Sequence, residues 1–252
     1  MAKVLGSPAR YVTDQAVKKY QTQFIVLIMA AMAMAFIAGW AFAMRKSAYA
    51  PIAIVLLGLS IPFIVKYANK MIDKLERDRL SFRKGATGEA TIGYILERLP
   101  DHYQVIHDVK TPSGNIDHVV VGPTGAFVID TKNWKGVVTG DGNGGLLLNG
   151  KSTPKSEIKN LTRTIMDLKD KIKVLNGMDP YIQGVLAFPS AHVDAKWGQT
   201  GHVHCVREEH LRDYISDSKR GRQLTSEEVD AISRAIGALA SMDKEFKSAS
   251  QS

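Results

Sequence analysis

The sequence predicts an α/β protein, a mixed sheet flanked by helices and preceded by a transmembrane α-helical hairpin. Three observations carry that expectation. Two long uncharged runs near the N-terminus each approach the roughly 20 apolar residues that cross a hydrocarbon core. Beyond them, apolar residues recur at helical spacing in some segments and fill short β-branched runs in others. Gly- and Pro-containing turns separate the short runs, so strands and helices interleave.

Residues 1–23 form a polar, basic N-terminal segment expected to be cytoplasmic. Phe24 to Met44 then runs 21 residues without a charge, and Ala48 to Val65 gives 18 more after Arg45-Lys46-Ser47. These are read as two transmembrane helices, 24–44 and 48–65, rather than a cleaved signal peptide, because a second run follows at once. Lys3, Arg10, Lys18 and Lys19 precede the first run, and seven cations from Lys66 to Lys84 follow the second. The connection carries only Arg45 and Lys46, so both termini are expected in the cytoplasm of an inner-membrane, multi-pass protein. Residues 66–84 read as a basic helical linker.

The chain carries 33 Lys+Arg against 25 Asp+Glu, a net charge of +8. That balance suits a polyanion or an anionic membrane surface. Cys205 stands alone, which excludes an intrachain disulfide and fits a reducing compartment.

A folded domain is expected over 85–206. Thr87-Gly88-Glu89 leads into an amphipathic helix with Ile92, Ile95, Leu96 and Leu99 on one face, stopped by Pro100. Strands follow at Tyr103–Val109, Ile116–Val121 and Ala126–Thr131. A short hairpin comes next, from Gly136–Thr139 and Leu146–Leu148, around a glycine-rich turn. Pro154 begins a long helix to about Leu175, apolar on one face and basic on the other. Ile182–Phe188 and His202–Val206 are strands. Glu208–Ile215 and Ser226–Phe246 close the chain as helices within a C-terminal segment 207–252, Ser226 acting as N-cap ahead of acids in the first turn.

The stretch from Ile116 to Lys132 carries the chemistry. It reads as two apolar strands joined at Pro123-Thr124, with Asp117 and Asp130 where packing alone would place Val or Ile. Buried polar groups need a partner or a function. An unbulged hairpin puts Asp117 opposite Asp130, and alternation puts Lys132 on the same face as Asp130 while Thr131 points away. Two carboxylates that close repel, and a divalent cation relieves the repulsion. Mg²⁺, or Mn²⁺ in its place, suits such a site, since it binds through one or two carboxylates plus waters and phosphate oxygens. Lys132 would position water or stabilise charge building on phosphorus. Glu89, in the first turn of the preceding helix, is placed to reach the same ion.

Three groups of residues carry a family resemblance. They are Gly85-Ala86-Thr87-Gly88-Glu89, then Gly114 with Ile116-Asp117-His118-Val119-Val120-Val121-Gly122-Pro123 and Gly125, then Val128-Ile129-Asp130-Thr131-Lys132-Asn133-Trp134 with Gly136. Together they resemble the NERD (nuclease-related) domain, which is similar to the PD-(D/E)xK superfamily of metal-dependent nucleases. The resemblance is close from about Arg83 to Gly136 and continues loosely to about Phe188. It implies a restriction-endonuclease-like sheet, and it maps Glu89, Asp117, Asp130 and Lys132 one by one onto the acidic and lysine positions of the nuclease motif. The three acids are then the metal ligands and all four residues catalytic. The family often has Glu where Asp130 stands. It also tends to show Asn-Pro-x-x-Gln at the start of the next helix, where this chain has Thr153-Pro154-Lys155-Ser156-Glu157.

Other residues suggest less. His202 and His204 share a strand face near Cys205 but lack a second ligand pair at zinc spacing, so a polar strand edge is expected. His118 points away from Asp117 and is read as packing. Trp134, Lys135, Lys155, Lys159 and Arg163 are candidates for contact with a nucleic-acid backbone or base. The expected function is membrane-anchored, metal-dependent hydrolysis of phosphodiester bonds, of DNA first. Its alternatives are a tethered nucleic-acid-binding or protein-assembly module with an inactive nuclease-like fold, and a scaffold that contacts only proteins.

Overall fold

The computed structural model describes residues 1–8, 10–43, 46, 50–153, 156–194, 202–217 and 222–249. In chain order they form β1 (Lys3–Leu5), α1 (Arg10–Ala43), α2 (Ala50–Glu97), β2 (Gln104–Thr111), β3 (Gly114–Gly122), β4 (Gly125–Thr131) and β5 (Gly136–Gly140). Then come β6 (Leu146–Leu148), β7 (Lys151–Ser152), α3 (Glu157–Asn176), β8 (Ile182–Phe188), β9 (Ala191–Val193), β10 (Val203–Arg207), α4 (Glu208–Ser216) and α5 (Ser226–Ala249). The chain divides into two compact units, one of Met1–Tyr11 with Lys84–Ser252 and the other of Val12–Arg83.

The Val12–Arg83 unit is helical and consists of most of α1 and the first part of α2. It leaves large apolar side chains exposed, Phe36 and Phe63 at 75% each. Among the described residues, no helix is long and apolar enough to cross a membrane. The transmembrane hairpin at 24–44 and 48–65, the inner-membrane placement, the bilayer partner and the cytoplasmic termini are corrected accordingly. The expectation rested on absence of charge, which is a weaker condition than apolarity. The second run includes Pro51, Gly58, Ser60 and Pro62, and its helix continues without a break into the charged residues from Lys66.

The other unit is built on a six-stranded mixed sheet in the order β1-β2-β3-β4-β8-β10. β2, β3 and β4 are antiparallel neighbours, while β4, β8 and β10 run parallel to one another. A four-stranded sheet, β7-β6-β5-β9, accompanies it. The β3–β4 ladder closes on Gly122 and Gly125 around the two-residue loop Pro123-Thr124. Gly125 has φ +136°, where side chains are strained, and a Cβ on Gly122 would run into the Tyr103 ring.

Alternation along the central strands sorts the core into two layers. Val119, Val121, Ala126 and Val128 pack with Leu161, Ile165, Leu168 and Ile172 of α3 and with Ile232 and Ile236 of α5. Val120, Phe127 and Ile129 face the other way, onto Ile92 and Leu96 of α2 and Leu211, Tyr214 and Ile215 of α4. Each fully buried Val, Leu, Ile or Phe contributes about 1.5–3 kcal/mol, so both layers are needed to hold the sheet.

Three strands were not legible in the sequence. β1, β7 and β9 have two or three residues each, too short to show a period. β1 adds to the sheet edge in parallel with β2, so residues 3–5 of the expected N-terminal segment belong to the sheet. The helix expected to start at Glu89 and Ala90 is instead the end of α2, and Thr87-Gly88 is helical interior; the Thr91 hydroxyl donates to the Thr87 carbonyl at 2.9 Å. α5 is capped by Thr225 and not by Ser226: the Glu228 amide donates to Thr225 Oγ1 at 3.2 Å, and the Thr225 amide to Glu228 Oε2 at 2.9 Å. The expected helix start at Pro154 lies outside the described residues, and α3 is described from Glu157.

Candidate active site

Hairpin geometry brings the predicted residues together, with one change. The β3–β4 register is the expected one, His118 opposite Ile129 through to Gly122 opposite Gly125. Asp117 and Asp130 fall on the next position, where the ladder has ended. There the Thr131 amide donates to Asp117 Oδ2 at 2.7 Å, so the side chain takes up a donor that the strand pair leaves open.

The ladder to β2 also skips Asp117, pairing His107 with His118 and Val109 with Ile116. Asp108, the residue between those two partners, sits at φ +63° and accepts from Asn115 Nδ2 at 2.8 Å. Asp tolerates that left-handed conformation by local hydrogen bonding of its short side chain. β3 is thus released on both sides at the one position that carries an acid. Local departures of this kind re-aim side chains.

Asp117 and Asp130 share strand parity with the residues facing α3, and so does Lys132 just past β4. Lys132 Nζ lies 2.7 Å from Asp130 Oδ2 and 3.2 Å from Glu157 Oε2 in the first turn of α3. Its amide donates to the Ala187 carbonyl at 2.8 Å, which continues the β4–β8 pairing and fixes the backbone beneath it. Glu89 is 8% exposed on α2, and after burial and Asp130 its charge also raises the Asp117 carboxyl.

These placements set the charges. Loss of water pushes the Asp117 carboxyl well above the usual carboxylate range, Asp130 and then Glu89 add to the rise, and the Thr131 amide and Lys132 oppose it. Burial alone would lower the Lys132 ammonium, but Asp130, then Glu157 and Asp117, outweigh it and hold the group above the ordinary lysine range. Lys132 is therefore a fixed cation at neutral pH. It can donate hydrogen bonds and balance charge, but it cannot accept a proton.

Asn133 joins three elements at this point. Its Nδ2 donates to the Lys84 carbonyl at 2.6 Å, and Ser190 Oγ donates to its Oδ1 at 2.6 Å. α2 passes so close that a Cβ on Gly88 would lie 2.7 Å from Asn133 Cβ. A glycine inside a helix costs about 1 kcal/mol relative to alanine. Close approach of the helix that carries Glu89 explains it.

The remaining candidates stand apart. Trp134 packs against Phe188 with ring centroids 5.5 Å apart, while Lys135, Lys159 and Arg163 are exposed. Lys155 lies outside the described residues. His118 is fully buried, its Nδ1 2.7 Å from His107 Nδ1, and burial lowers both imidazoles, so the pair is neutral and one ring donates to the other. His204 Nδ1 pairs with the Tyr214 hydroxyl at 2.5 Å and Cys205 is buried, so this strand serves packing. Sequence reasoning singled out neither Asn133 nor the pairing of Glu157. Both act across elements distant in sequence, and only the position of Glu157 in the motif hinted at it.

Among the described residues, no group of three or more His, Cys, Asp and Glu side chains is gathered closely enough to hold a metal. The donor chemistry nonetheless suits a hard cation, which needs only one or two carboxylates with waters. Asp117, raised first by burial and then by Asp130 and Glu89, is a carboxylate that a cation would relieve.

Residues 84–189 match the nuclease-related domain (NERD) family, a stretch that begins on α2 just before Glu89 and ends just after β8. The chain is also 28% identical over 171 residues to an uncharacterized protein of Bacillus anthracis, covering 65% of this chain and 80% of that one. No solved structure matches it.

Proposed function

We propose that this nuclease-related domain hydrolyses phosphodiester bonds with the help of a divalent cation, Mg²⁺ or Mn²⁺, and that DNA is its substrate. The observation that carries the reading is Asp117, an acid set where both neighbouring ladders open, crowded by Asp130 and Glu89 and balanced by Lys132. Structural ion pairs do not require two strand ladders to part around one carboxylate.

Each residue has a role in this reading. Of Asp117, Asp130 and Glu89, Asp117 with one of the other two would hold the cation, and waters would complete its shell, since no three such donors are gathered among the described residues. When bound, the cation supplies positive charge at the scissile phosphate. Lys132, protonated and anchored by Asp130, donates to a phosphate oxygen as negative charge grows on phosphorus. Water adds to phosphorus and gives up a proton to solvent as the bond to the leaving oxygen breaks, and that oxygen departs with a proton from solvent. The Thr131 amide keeps Asp117 oriented throughout.

The test is cleavage by the full-length chain of linear, circular and single-stranded DNA, and of RNA, with Mg²⁺, with Mn²⁺ and with chelator. Cleavage should need the cation and should be lost in Asp130→Ala and Lys132→Ala. Cleavage untouched by both substitutions would show that the assigned site is wrong.

A second reading, a nucleic-acid-binding module without catalysis, is favoured by one observation: no three-donor group is assembled among the described residues. It predicts salt-sensitive DNA binding that survives Asp117→Ala, with no turnover under any cation.

A further inference from the structure

We propose that Glu157 is a positioning residue for Lys132, holding its ammonium from α3 so that it stands at a fixed place over the end of β4. The inference rests on the nuclease reading above and extends it to a residue on a different element.

Its geometry is specific. Lys132 reaches its ammonium between two carboxylates, Asp130 Oδ2 at 2.7 Å on its own strand and Glu157 Oε2 at 3.2 Å on α3. Asp130 alone fixes one direction, and a four-carbon side chain held at one point still sweeps an arc. A second carboxylate from another element removes that freedom. The three side chains are 21%, 22% and 13% exposed, so the contact is shielded and not a solvated surface pair.

Glu157 is itself well supported. It stands in the first turn of α3, where the helix dipole favours a negative charge. α3 is packed on the sheet through Leu161, Ile165, Leu168 and Ile172. Ser156 makes no side-chain cap bond to the helix, so Glu157 is the acid that serves this end. Chain order alone does not bring the two residues together, because β5, β6 and β7 intervene.

Glu157 acts in this reading only through its ion pair with Lys132, so its loss should act on turnover and not on substrate affinity. Catalytic groups lose rate steeply when displaced by about 1 Å. Glu157→Gln keeps an oxygen that can accept from the ammonium and should hold it in place. Glu157→Ala cannot.

The experiment compares full-length wild type, Glu157→Gln and Glu157→Ala in two measurements. One is the rate at which an amine-reactive ester labels Lys132 at fixed pH, read by mass spectrometry without cation or DNA. The other is kcat and KM for DNA cleavage with Mg²⁺. Labelling of Lys132 should rise at least about threefold in Glu157→Ala and less in Glu157→Gln. Turnover, kcat, should fall about tenfold in Glu157→Ala and within about threefold in Glu157→Gln, with KM unchanged in both. Unchanged labelling in Glu157→Ala overturns the proposal whatever the cleavage result. Raised labelling with unchanged kcat overturns the positioning role. Equal loss of kcat in Glu157→Gln and Glu157→Ala also overturns it, because that result makes Glu157 a ligand or proton carrier. Wild type that never cleaves, under any divalent cation, removes the nuclease reading beneath the proposal, and the wild-type control shows this separately.

Discussion

Asp117 does not pair across the hairpin with Asp130 through the backbone; its carboxylate instead accepts the amide of Thr131, one residue further on, at 2.7 Å. This contact holds an unfavourably placed anion in register while leaving its second oxygen for other partners. It also makes the protonation of Asp117 a quantity that stability measurements can read.

Asp117→Asn should raise thermal stability at neutral pH. The folded-state pKa of Asp117 lies above its unfolded value, so ionised Asp117 costs stability. That cost is absent below the unfolded carboxylate pKa of about 4, grows as pH rises toward the folded value, and is complete above it. Asn can still accept from Thr131. The melting temperature of the mutant should therefore exceed that of wild type by several degrees at pH 7–8, about 2–4 °C per kcal/mol, and match it near pH 4. Adding Mg²⁺ should narrow the neutral-pH gap by stabilising wild type more than the mutant. A gap that widens toward acid would refute the assignment.

Lys132→Met should lower kcat by about 100-fold, the usual loss when one donor to developing charge is removed. Folding stability should fall by about 1–2 kcal/mol, since Asp130 and Glu157 lose their shared cation in a partly shielded place. Because the folded pKa of Lys132 is raised, its stabilisation is fully present below the unfolded pKa of about 10.4 and is lost only as pH rises through the higher folded value. The wild-type rate profile between pH 6 and 9 should accordingly show no step that disappears with Lys132.

Gly88→Ala should impair cleavage more than folding. Its Cβ would meet Asn133 Cβ at 2.7 Å and Asn133 Cγ and Nδ2 at 3.1 Å each. Asn133 cannot yield freely, being bonded to the Lys84 carbonyl and to Ser190. The helix carrying Glu89 must shift, at about 1–3 kcal/mol. A drop in kcat of about tenfold is expected, with recovery in the double variant Gly88→Ala, Asn133→Gly. Circular dichroism melts and cleavage rates on the three proteins decide it.

Lys159→Glu with Arg163→Glu should weaken DNA binding without touching the acidic cluster. Both side chains are exposed on one turn of α3, away from its apolar face. If both contact phosphates, the slope of log affinity against log salt should fall in magnitude by about 2 on duplex DNA. An unchanged slope would assign them to solvated surface.

Much of the fold was legible before any tertiary structure. β8 was legible to the residue because Ile182–Phe188, apart from Gln183, is apolar or small and is flanked by Pro180 and Pro189. The register of β3 with β4 followed from the two-residue loop, which leaves a hairpin one way to pair. Local patterns fix such features because the interactions that produce them lie within a few residues. The N-terminal runs were misjudged for the complementary reason. Absence of charge is a local property of a run, and among the described residues no helix is long and apolar enough to cross a membrane.

The sequence by itself singled out the candidate side chains: an acid pair with a lysine on one hairpin face, and an acid on the helix before it. Only the tertiary structure decided how they are held. Asp117 stands free of both ladders because Asp108 on β2 turns left-handed beside it and β4 has ended its pairing. Glu89 approaches from α2 because Gly88 lets the helix lie against Asn133. Lys132 is shared with Glu157 because α3 packs on the same face of the sheet. These are contacts between elements far apart in the chain. They depend on the packing of α2 and α3 on the sheet, a property of the whole core that no local pattern encodes.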